Sequence, residues 1–381
     1  MAATIPVREN IITWALARAG YDLTKFSLKY PALKVERWLQ GEKQPTVKQL
    51  EDFSKKVHIP FGYLFLQEPP NEEIDFPFFR SGQARPNYTV SPNVYDTILE
   101  LERRQDWLRD YLIELGSDPL DFIGKFKNTT SVSVFVNDLR DKLNLPENWY
   151  LSCKTWEDSL TMLINAIEKI GIIVVQNGIV GNNTHRPIPV DECRGFVLVD
   201  EYVPFMFINN ADAKAAQLFT LIHELAHIWL GKSAGFNQDQ LLPANDDIEL
   251  ICDRVAAEFL VPKNQLLSKW NNIQDIRMLA ARFKVSPIVI ARRALDLNLI
   301  TKPQFFSFYN NYMEWAKKKK DSQGPGGDFY RTTKRRVSPT FASYVDNAVK
   351  NGRLTYQDAF KLTGLFGDVY TRFINQNLMG S

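Results

Sequence analysis

The chain has 381 residues, of which 45 % are hydrophobic and 24 % are charged, and its formal net charge is +2. This composition excludes a disordered chain and a strongly basic nucleic-acid-binding protein, so any DNA contact must depend on local patches. Three cysteines without paired spacing, Cys153, Cys193 and Cys252, argue against a disulfide framework and favour a cytoplasmic setting. Residues 1–20 do not have the apolar core of a signal peptide, and no run of about 18 apolar residues predicts a membrane span.

Residues 1–70 have the pattern of a small helical domain. Apolar residues at helical spacing over 11–19, followed by Gly20, predict a first helix, and Thr46 can cap a later one. Short helices spaced this closely predict a helix-turn-helix domain. Its candidate DNA contacts are five basic residues: Lys25, Lys29, Lys34, Arg37 and Lys43. The alternative is a solvated basic face on a domain that contacts a partner protein.

Residues 71–150 are predicted to form an extended strap and a helical linker. The strap covers 75–80, and two amphipathic patterns predict helices over 94–116 and 131–143. No long internal repeat is visible along the chain.

Residues 151–262 have a mixed pattern that predicts the central domain. Three β-rich runs, over 172–175, 196–199 and 205–208, follow a first helix. The short connection between the last two runs predicts a small, mainly antiparallel sheet. Two long helices, over 213–230 and 248–261, are expected after the strands.

The rest of the chain is predicted to be largely helical. Residues 263–315 resemble a second helix-turn-helix, in which Arg292 and Arg293 could contact DNA, although packing against the central domain is the favoured alternative. A basic, flexible linker is expected over 316–337, and a small helical unit over 338–381.

The strongest motif is His223-Glu224-Leu225-Ala226-His227, in a chain that has only four histidines. Residues four apart on a helix lie on one face, with Cβ atoms about 5–6 Å apart, so both imidazoles can bind one ion. Glu224 lies beside that ion and can accept a proton from a water ligand. The motif therefore predicts a zinc site, and the alternative is a buried helix that carries two ordinary core histidines.

A catalytic zinc needs a third protein ligand and one open position. The downstream candidates are Asp246, Asp247, Glu249, Asp253 and Glu258. On a helix from residue 248, Glu249, Cys252 and Asp253 share one face, whereas Glu258 points away. Glu249 is therefore the predicted ligand, and Asp253 is placed to accept a hydrogen bond from a ligand imidazole, with a surface acid as its alternative. Cys252 is the rival ligand, although a small buried thiol is the commoner role for a single cysteine.

These residues predict metal-assisted hydrolysis of a peptide bond. The ion lowers the pKa of its water towards about 7. Glu224 then accepts a proton from that water and passes it to the leaving amine. A tyrosine or an arginine could stabilise the oxyanion, but the spacing selects neither.

The segments FTLIHELAH (219–227) and ELICDRVAAEFLVP (249–262) closely resemble the ImmA/IrrE family of metallopeptidases. Residues 194–196 and 204–209 also resemble strands of that family. Three N-terminal segments are similar to the Xre-type helix-turn-helix that is found fused to it: 14–20, 45–50 and 60–66.

The resemblance implies a zincin-like peptidase of the Glu-zincin type that binds one Zn²⁺. Its ligands would be His223, His227 and Glu249, and its catalytic glutamate Glu224. Cys252 and Val255 stand where the family more often has alanine and phenylalanine. The expected fold class is α+β, mainly α, with an N-terminal helix-turn-helix bundle, a peptidase domain with a small antiparallel sheet, and helical C-terminal regions.

Two hypotheses for the function follow. In the first, the chain is a peptidase that cleaves a regulatory protein, such as a helix-turn-helix repressor, in a mobile-element, toxin-antitoxin or stress-response setting. In the second, it is a DNA-binding transcriptional regulator or antitoxin whose zinc domain binds a partner with little or no proteolysis. An intact Glu224 favours the first hypothesis, because a purely structural zinc site does not need a base.

Overall fold

The computed structural model describes residues 4–72, 78–80, 83–84, 90–127, 131–237, 247–320 and 329–378. The chain divides into two compact units, Met1–Ile74 and Asp75–Ser381. The first boundary lies close to the one predicted near residue 70, and the finer divisions predicted within the second unit stay predictions.

The first unit is a bundle of short helices. Its described helices are α1 (Glu9–Arg18), α2 (Leu23–Lys29), α3 (Val35–Leu39), α4 (Val47–Val57) and a 3₁₀ helix (Phe61–Phe65). Thr46 caps α4 as expected, because its hydroxyl accepts the backbone N–H of Gln49 while the Gln49 side chain accepts the backbone N–H of Thr46. Phe26, Phe53 and Trp38 stack edge to face in the core. This packing gives the small unit its own hydrophobic centre.

The second unit contains most of the helices. They are α5 (Pro92–Glu114), α6 (Val132–Leu143), α7 (Trp156–Lys169), α8 (Lys214–Leu230), α9 (Asp247–Leu260), α10 (Lys263–Leu267), α11 (Ile276–Phe283), α12 (Pro287–Asp296), α13 (Lys302–Lys320), α14 (Phe329–Val337), α15 (Pro339–Lys350), α16 (Tyr356–Thr363) and α17 (Asp368–Leu378). Within the described ranges, no helix is both long and apolar enough to cross a membrane.

One six-stranded sheet and one two-stranded ribbon accompany these helices. The strands are β1 (Phe78–Arg80), β2 (Gln83–Ala84), β3 (Ile173–Asn177), β4 (Ile179–Val180), β5 (Asn183–Pro187), β6 (Gly195–Leu198), β7 (Phe205–Asn209) and β8 (Ala234–Asn237). The sheet order is β2-β1-β8-β6-β7-β3, and β4 pairs with β5.

The six-stranded sheet is mainly antiparallel, as expected, but it also contains two parallel pairs. The pairs β6–β7 and β6–β8 are antiparallel as the short connection indicated, but β3 runs parallel to β7, and β1 runs parallel to β8. The reason is that β7 lies between β6 and β3, which run in opposite directions. The sequence pattern identified the strands but contained no information about this insertion.

Helix α8 packs against the sheet through a buried surface that contains both apolar and polar side chains. Every residue from 217 to 230 is buried, and β6 and β7 are buried along their whole length. Helix α9 packs on α8, and both helices share one large hydrophobic core with α6, α7, α11 and α12. The polar side chains of α8 are therefore removed from water and must find partners within the protein.

The segment predicted as a flexible linker, 316–337, is helical wherever the structure describes it. Residues 316–320 continue α13, because four lysines have good helix propensity and no breaker precedes them. Residues 329–337 form α14, in which Arg335 pairs with Glu157 of α7. The glycine-rich part of the segment lies outside the described residues, as does the first half of the predicted strap at 75–80, whose second half is β1.

Candidate metal centre

Helix α8 brings the two histidines of the motif together. The helix ends at Gly231, whose φ of +68° is the left-handed conformation that glycine tolerates. His223 and His227 lie one turn apart on the helix, with ring centroids 5.1 Å apart and exposed fractions of 0 % and 1 %. Their Nε2 atoms are 3.3 Å apart, so both rings point towards one place.

Helix α9 brings a carboxylate to the same place. One oxygen of Glu249, Oε2, lies 3.2 Å from Nε2 of His223, and the other, Oε1, lies 3.0 Å from Nε2 of His227. Ligand atoms of a tetrahedral zinc ion with bonds of about 2.0–2.1 Å are about 3.3 Å apart. The three side chains that the sequence predicted as ligands therefore have the separations that a single zinc ion requires.

Asp253 lies behind this group, one turn after Glu249. Its Oδ1 is 3.0 Å from Nδ1 of His223. A carboxylate in this position fixes the ring orientation and the tautomer, so that Nε2 is the nitrogen available to an ion. Nδ1 of His227 is buried and has no hydrogen-bond partner in the described part of the chain.

The electrostatics of the group require a positive charge at its centre. Burial lowers the pKa of His223, but the carboxylates of Glu249 and Asp253 outweigh burial and raise that pKa to about 10. Burial raises the pKa of Glu249, but the two imidazoles outweigh it and hold that pKa well below its usual range. Two carboxylates around two imidazoles thus favour a bound cation, which can be a proton or a metal ion.

Glu224 differs from the other acids of the site because neither of its oxygens has a hydrogen-bond partner within the described residues. Its side chain is fully buried, and burial raises the pKa of the carboxyl well above its usual range. A buried carboxyl without partners is costly, so it is retained only where it has another role. Glu224 follows His223 in the sequence and interacts electrostatically with His223 and Glu249, so it belongs to the same group.

Gly195 of β6 makes room for Thr220 of α8 and the backbone of β7 close to Glu224, and the sequence predictions named it only within the family-like segment 194–196. A Cβ atom at Gly195 would lie 2.7 Å from Cγ2 of Thr220, 2.9 Å from the carbonyl oxygen of Phe207 and 3.5 Å from Cγ of Glu224. The sheet and α8 therefore approach each other more closely here than a side chain would allow. The only available signal was the glycine itself at the start of a β-rich run.

A fourth potential donor lies in the same group. The sulfur of Cys252 and one nitrogen from each of His223 and His227 all lie within 4.8 Å of one another, and Cys252 is fully buried. The sequence interpretation had treated this residue as the rival of Glu249. In the structure the two residues, three apart on α9, both lie near the histidines.

The remaining acidic candidates lie elsewhere. Glu258 pairs with Arg293 of α12 and accepts the backbone N–H of Lys263. Asp247 is exposed at the start of α9, and Asp246 lies outside the described residues. Arg293, one of the two arginines considered for a second DNA contact, is buried and donates to the carbonyl of Val261, so packing is its role.

The five candidate DNA contacts of the first unit are all exposed: Lys25, Lys29, Lys34, Arg37 and Lys43. Three of them have partners within the unit. Lys25 lies 3.2 Å from Asp22, Lys29 donates to the hydroxyl of Tyr21, and Arg37 lies 3.9 Å from Glu42. Exposure leaves these side chains available to phosphates, and the role in DNA binding stays a prediction.

Comparisons with protein families cover two parts of the second unit. Residues 183–295 match the model described as the IrrE N-terminal-like domain, of the peptidase M78 family. Residues 337–376 match a domain of unknown function, DUF8813. The comparison with curated proteins finds no match.

The first match covers β5 to β7, both helices of the candidate metal centre and most of α12. It supports the peptidase part of the family resemblance and a metallopeptidase type of domain. It also runs past the boundary predicted at 262. The N-terminal unit lies outside both matched ranges, so the helix-turn-helix remains a prediction.

Proposed function

We propose that the chain is a zinc-dependent metalloendopeptidase. His223, His227 and Glu249 would hold one zinc ion, and Glu224 would act as general base. The observation that carries this proposal is the convergence of three donor groups, 3.0–3.3 Å apart, next to a buried carboxylate that has no hydrogen-bond partner in the described chain. The match to the peptidase M78 family over 183–295 supports the same reading.

When bound, zinc lowers the pKa of a water ligand and polarises the carbonyl of the scissile bond. The side chains of this protein supply the proton transfers. Glu224 would accept a proton from the attacking water and pass it to the leaving nitrogen afterwards. Asp253 holds the ring of His223 in position throughout.

We further propose that the substrate is a regulatory protein, such as a helix-turn-helix repressor or a toxin or antitoxin partner. This part rests on the family resemblance, because the geometry of the metal centre does not select a sequence. The five exposed basic residues of the first unit favour a second function, that of a DNA-binding regulator with little or no proteolysis.

The proposal is tested by comparing the wild-type chain with Glu224→Gln in a native cell extract. The amide keeps the size of the side chain but cannot act as a base. Mass spectrometry of new peptide N-termini would identify cleaved proteins, and elemental analysis of the purified chains would measure their zinc. We expect about one zinc per chain in both proteins, and new N-termini with the wild type alone.

Each other outcome argues against the peptidase. A wild-type chain that neither contains nor takes up zinc would remove the metal centre. Equal cleavage by Glu224→Gln would show that this glutamate is not the base. Zinc in both chains with no new N-termini in either would favour the regulatory function.

A further inference from the structure

Cys252 gives the candidate metal centre a fourth donor that the proposed peptidase mechanism does not use. Its sulfur belongs to a buried group of three donor atoms, with one nitrogen from each histidine, that lie within 4.8 Å of one another. Glu249 and Cys252 are three residues apart on α9 and therefore lie on one side of the helix. Two helices thus present four side chains to one place: His223 and His227 from α8, Glu249 and Cys252 from α9.

The chemistry of a thiol makes this arrangement consequential. Zinc binds cysteine sulfur at about 2.3 Å and readily combines it with imidazole. Zinc sites with four protein ligands are closed and structural, whereas catalytic sites have three protein ligands and keep one position for water. A fourth protein ligand at this centre would therefore decide whether the ion can take part in hydrolysis.

The distance between the donors suits a ligand that can bind and leave. A sulfur and a nitrogen on one tetrahedral zinc ion are about 3.6 Å apart. The sulfur and the two nitrogens lie within 4.8 Å of one another, so rotation of the short side chain and a small adjustment of α9 would bring the sulfur to that distance.

We propose that Cys252 is a reversible fourth ligand that closes the metal centre and holds the peptidase in a latent form. In the closing step the thiol loses its proton to solvent, its sulfur binds the ion, and one water molecule is released. Opening reverses the same step and needs neither an oxidant nor a reductant. This inference rests on the proposed zinc site of His223, His227 and Glu249, and it adds the regulation of that site.

Cobalt(II) substitution tests the ligand directly, because a thiolate bound to cobalt gives an intense near-ultraviolet charge-transfer band. The full-length wild type is compared with Cys252→Ala and with Cys153→Ala, a control at a buried cysteine that contacts Met162 and lies outside the donor group. We expect the band in the wild type and in Cys153→Ala, and its loss in Cys252→Ala. Cobalt should still bind to that variant through the other three ligands.

A functional measurement accompanies the spectrum, with the cleaved proteins from the extract as substrates. If the open form is about a tenth of the wild-type population, Cys252→Ala should cleave about ten times faster. Cys252→Ser, which nearly keeps the size of the side chain, provides a second variant, and circular dichroism checks that both fold. Faster cleavage together with loss of the band would support the latent form.

The outcomes separate this inference from the proposed function. Cobalt binding without the band in the wild type would overturn the fourth ligand and leave the peptidase untouched. Loss of the band with unchanged or slower cleavage in both folded variants would overturn the latency. Failure of the wild type to bind any cobalt or zinc would instead overturn the proposed metal centre itself.

Discussion

Two glutamates of the second unit, Glu224 and Glu168, have pKa values shifted in the same direction but make different hydrogen bonds. Burial raises the pKa of both carboxyl groups. Glu168, near the end of α7, accepts hydrogen bonds from the hydroxyls of Ser338 and Thr340, at 2.5 and 3.0 Å. Glu224 has no such partner within the described residues. A raised pKa is therefore shared by both groups, whereas of the two only Glu224 is fully buried and lacks a hydrogen-bond partner within the described residues.

The position of Glu168 explains why it needs no catalytic role. Ser338 caps α15, and its backbone has a φ of +63°, which is unusual for a residue other than glycine. Its hydroxyl both caps α15 and donates to Glu168, so the carboxyl anchors the start of the C-terminal helices on α7. A partly buried acid that accepts hydrogen bonds from both hydroxyls is a structural contact.

The largest expected effect separates the two glutamates by activity. Glu224→Gln should reduce the rate of cleavage by about 10²–10⁴-fold, because general-base catalysis contributes that much. Glu168→Gln should leave the rate unchanged, since its amide can still bond to both hydroxyls. Steady-state cleavage assays on a protein identified from the extract, with zinc content measured in parallel, would check this. Equal losses in both variants would contradict the distinction.

A smaller effect concerns the carboxylate behind His223. Asp253→Asn should weaken zinc binding by about 10–100-fold, the usual result of changing a residue that orients a metal ligand. The matched control is Asp296→Asn, because Asp296 is an exposed partner of Arg292 on α12. Competition with a fluorescent zinc chelator would measure both affinities. If Asp253→Asn bound zinc as tightly as the control, the contact with His223 would have no role in the metal centre.

The next effect measures how tightly the protein packs around Glu224. Gly195→Ala would place a methyl group 2.7 Å from Thr220 and 2.9 Å from a backbone oxygen of β7, so it should destabilise the chain by about 1–3 kcal/mol. Gly62→Ala is the control, since a Cβ there meets nothing within 4 Å. That change should be neutral or slightly stabilising. Urea unfolding would compare the two, and equal midpoints would show that β6 and α8 can separate without cost.

The sequence could predict the parts of the centre that depend on local geometry. A spacing of four residues places His223 and His227 on one helix face, and the same argument places Glu249, Cys252 and Asp253 together on α9. The structure brings all five near one another. Their roles as ligands and supports remain proposals that the experiments above can decide.

Features that depend on partners distant in the sequence could not be predicted. Glu168 and Ser338 are 170 residues apart, so nothing near either residue shows that they meet. The parallel pairing of β3 with β7 depends on the position of β7 between β6 and β3 in the sheet. The close approach at Gly195 depends on the packing of a helix on a sheet, and a single glycine in a strand does not reveal what lies opposite it.

The smallest expected effect is the pH dependence of stability that Glu168 confers. Because burial raises the folded-state pKa of this carboxyl above its ordinary value of 4.5, the folded chain holds the proton more strongly than the unfolded chain. The stabilisation is therefore complete below about pH 4.5 and is lost as the pH rises through the folded-state pKa.

Replacing the group with an amide that does not titrate, Glu168→Gln, should remove that part of the slope. Unfolding free energies of both chains, measured at intervals from pH 4 to 8, would show curves that diverge only within that window. Parallel curves would mean that the hydrogen bonds from Ser338 and Thr340 stabilise the carboxylate as well as water does. The two glutamates would then differ only in their hydrogen bonds.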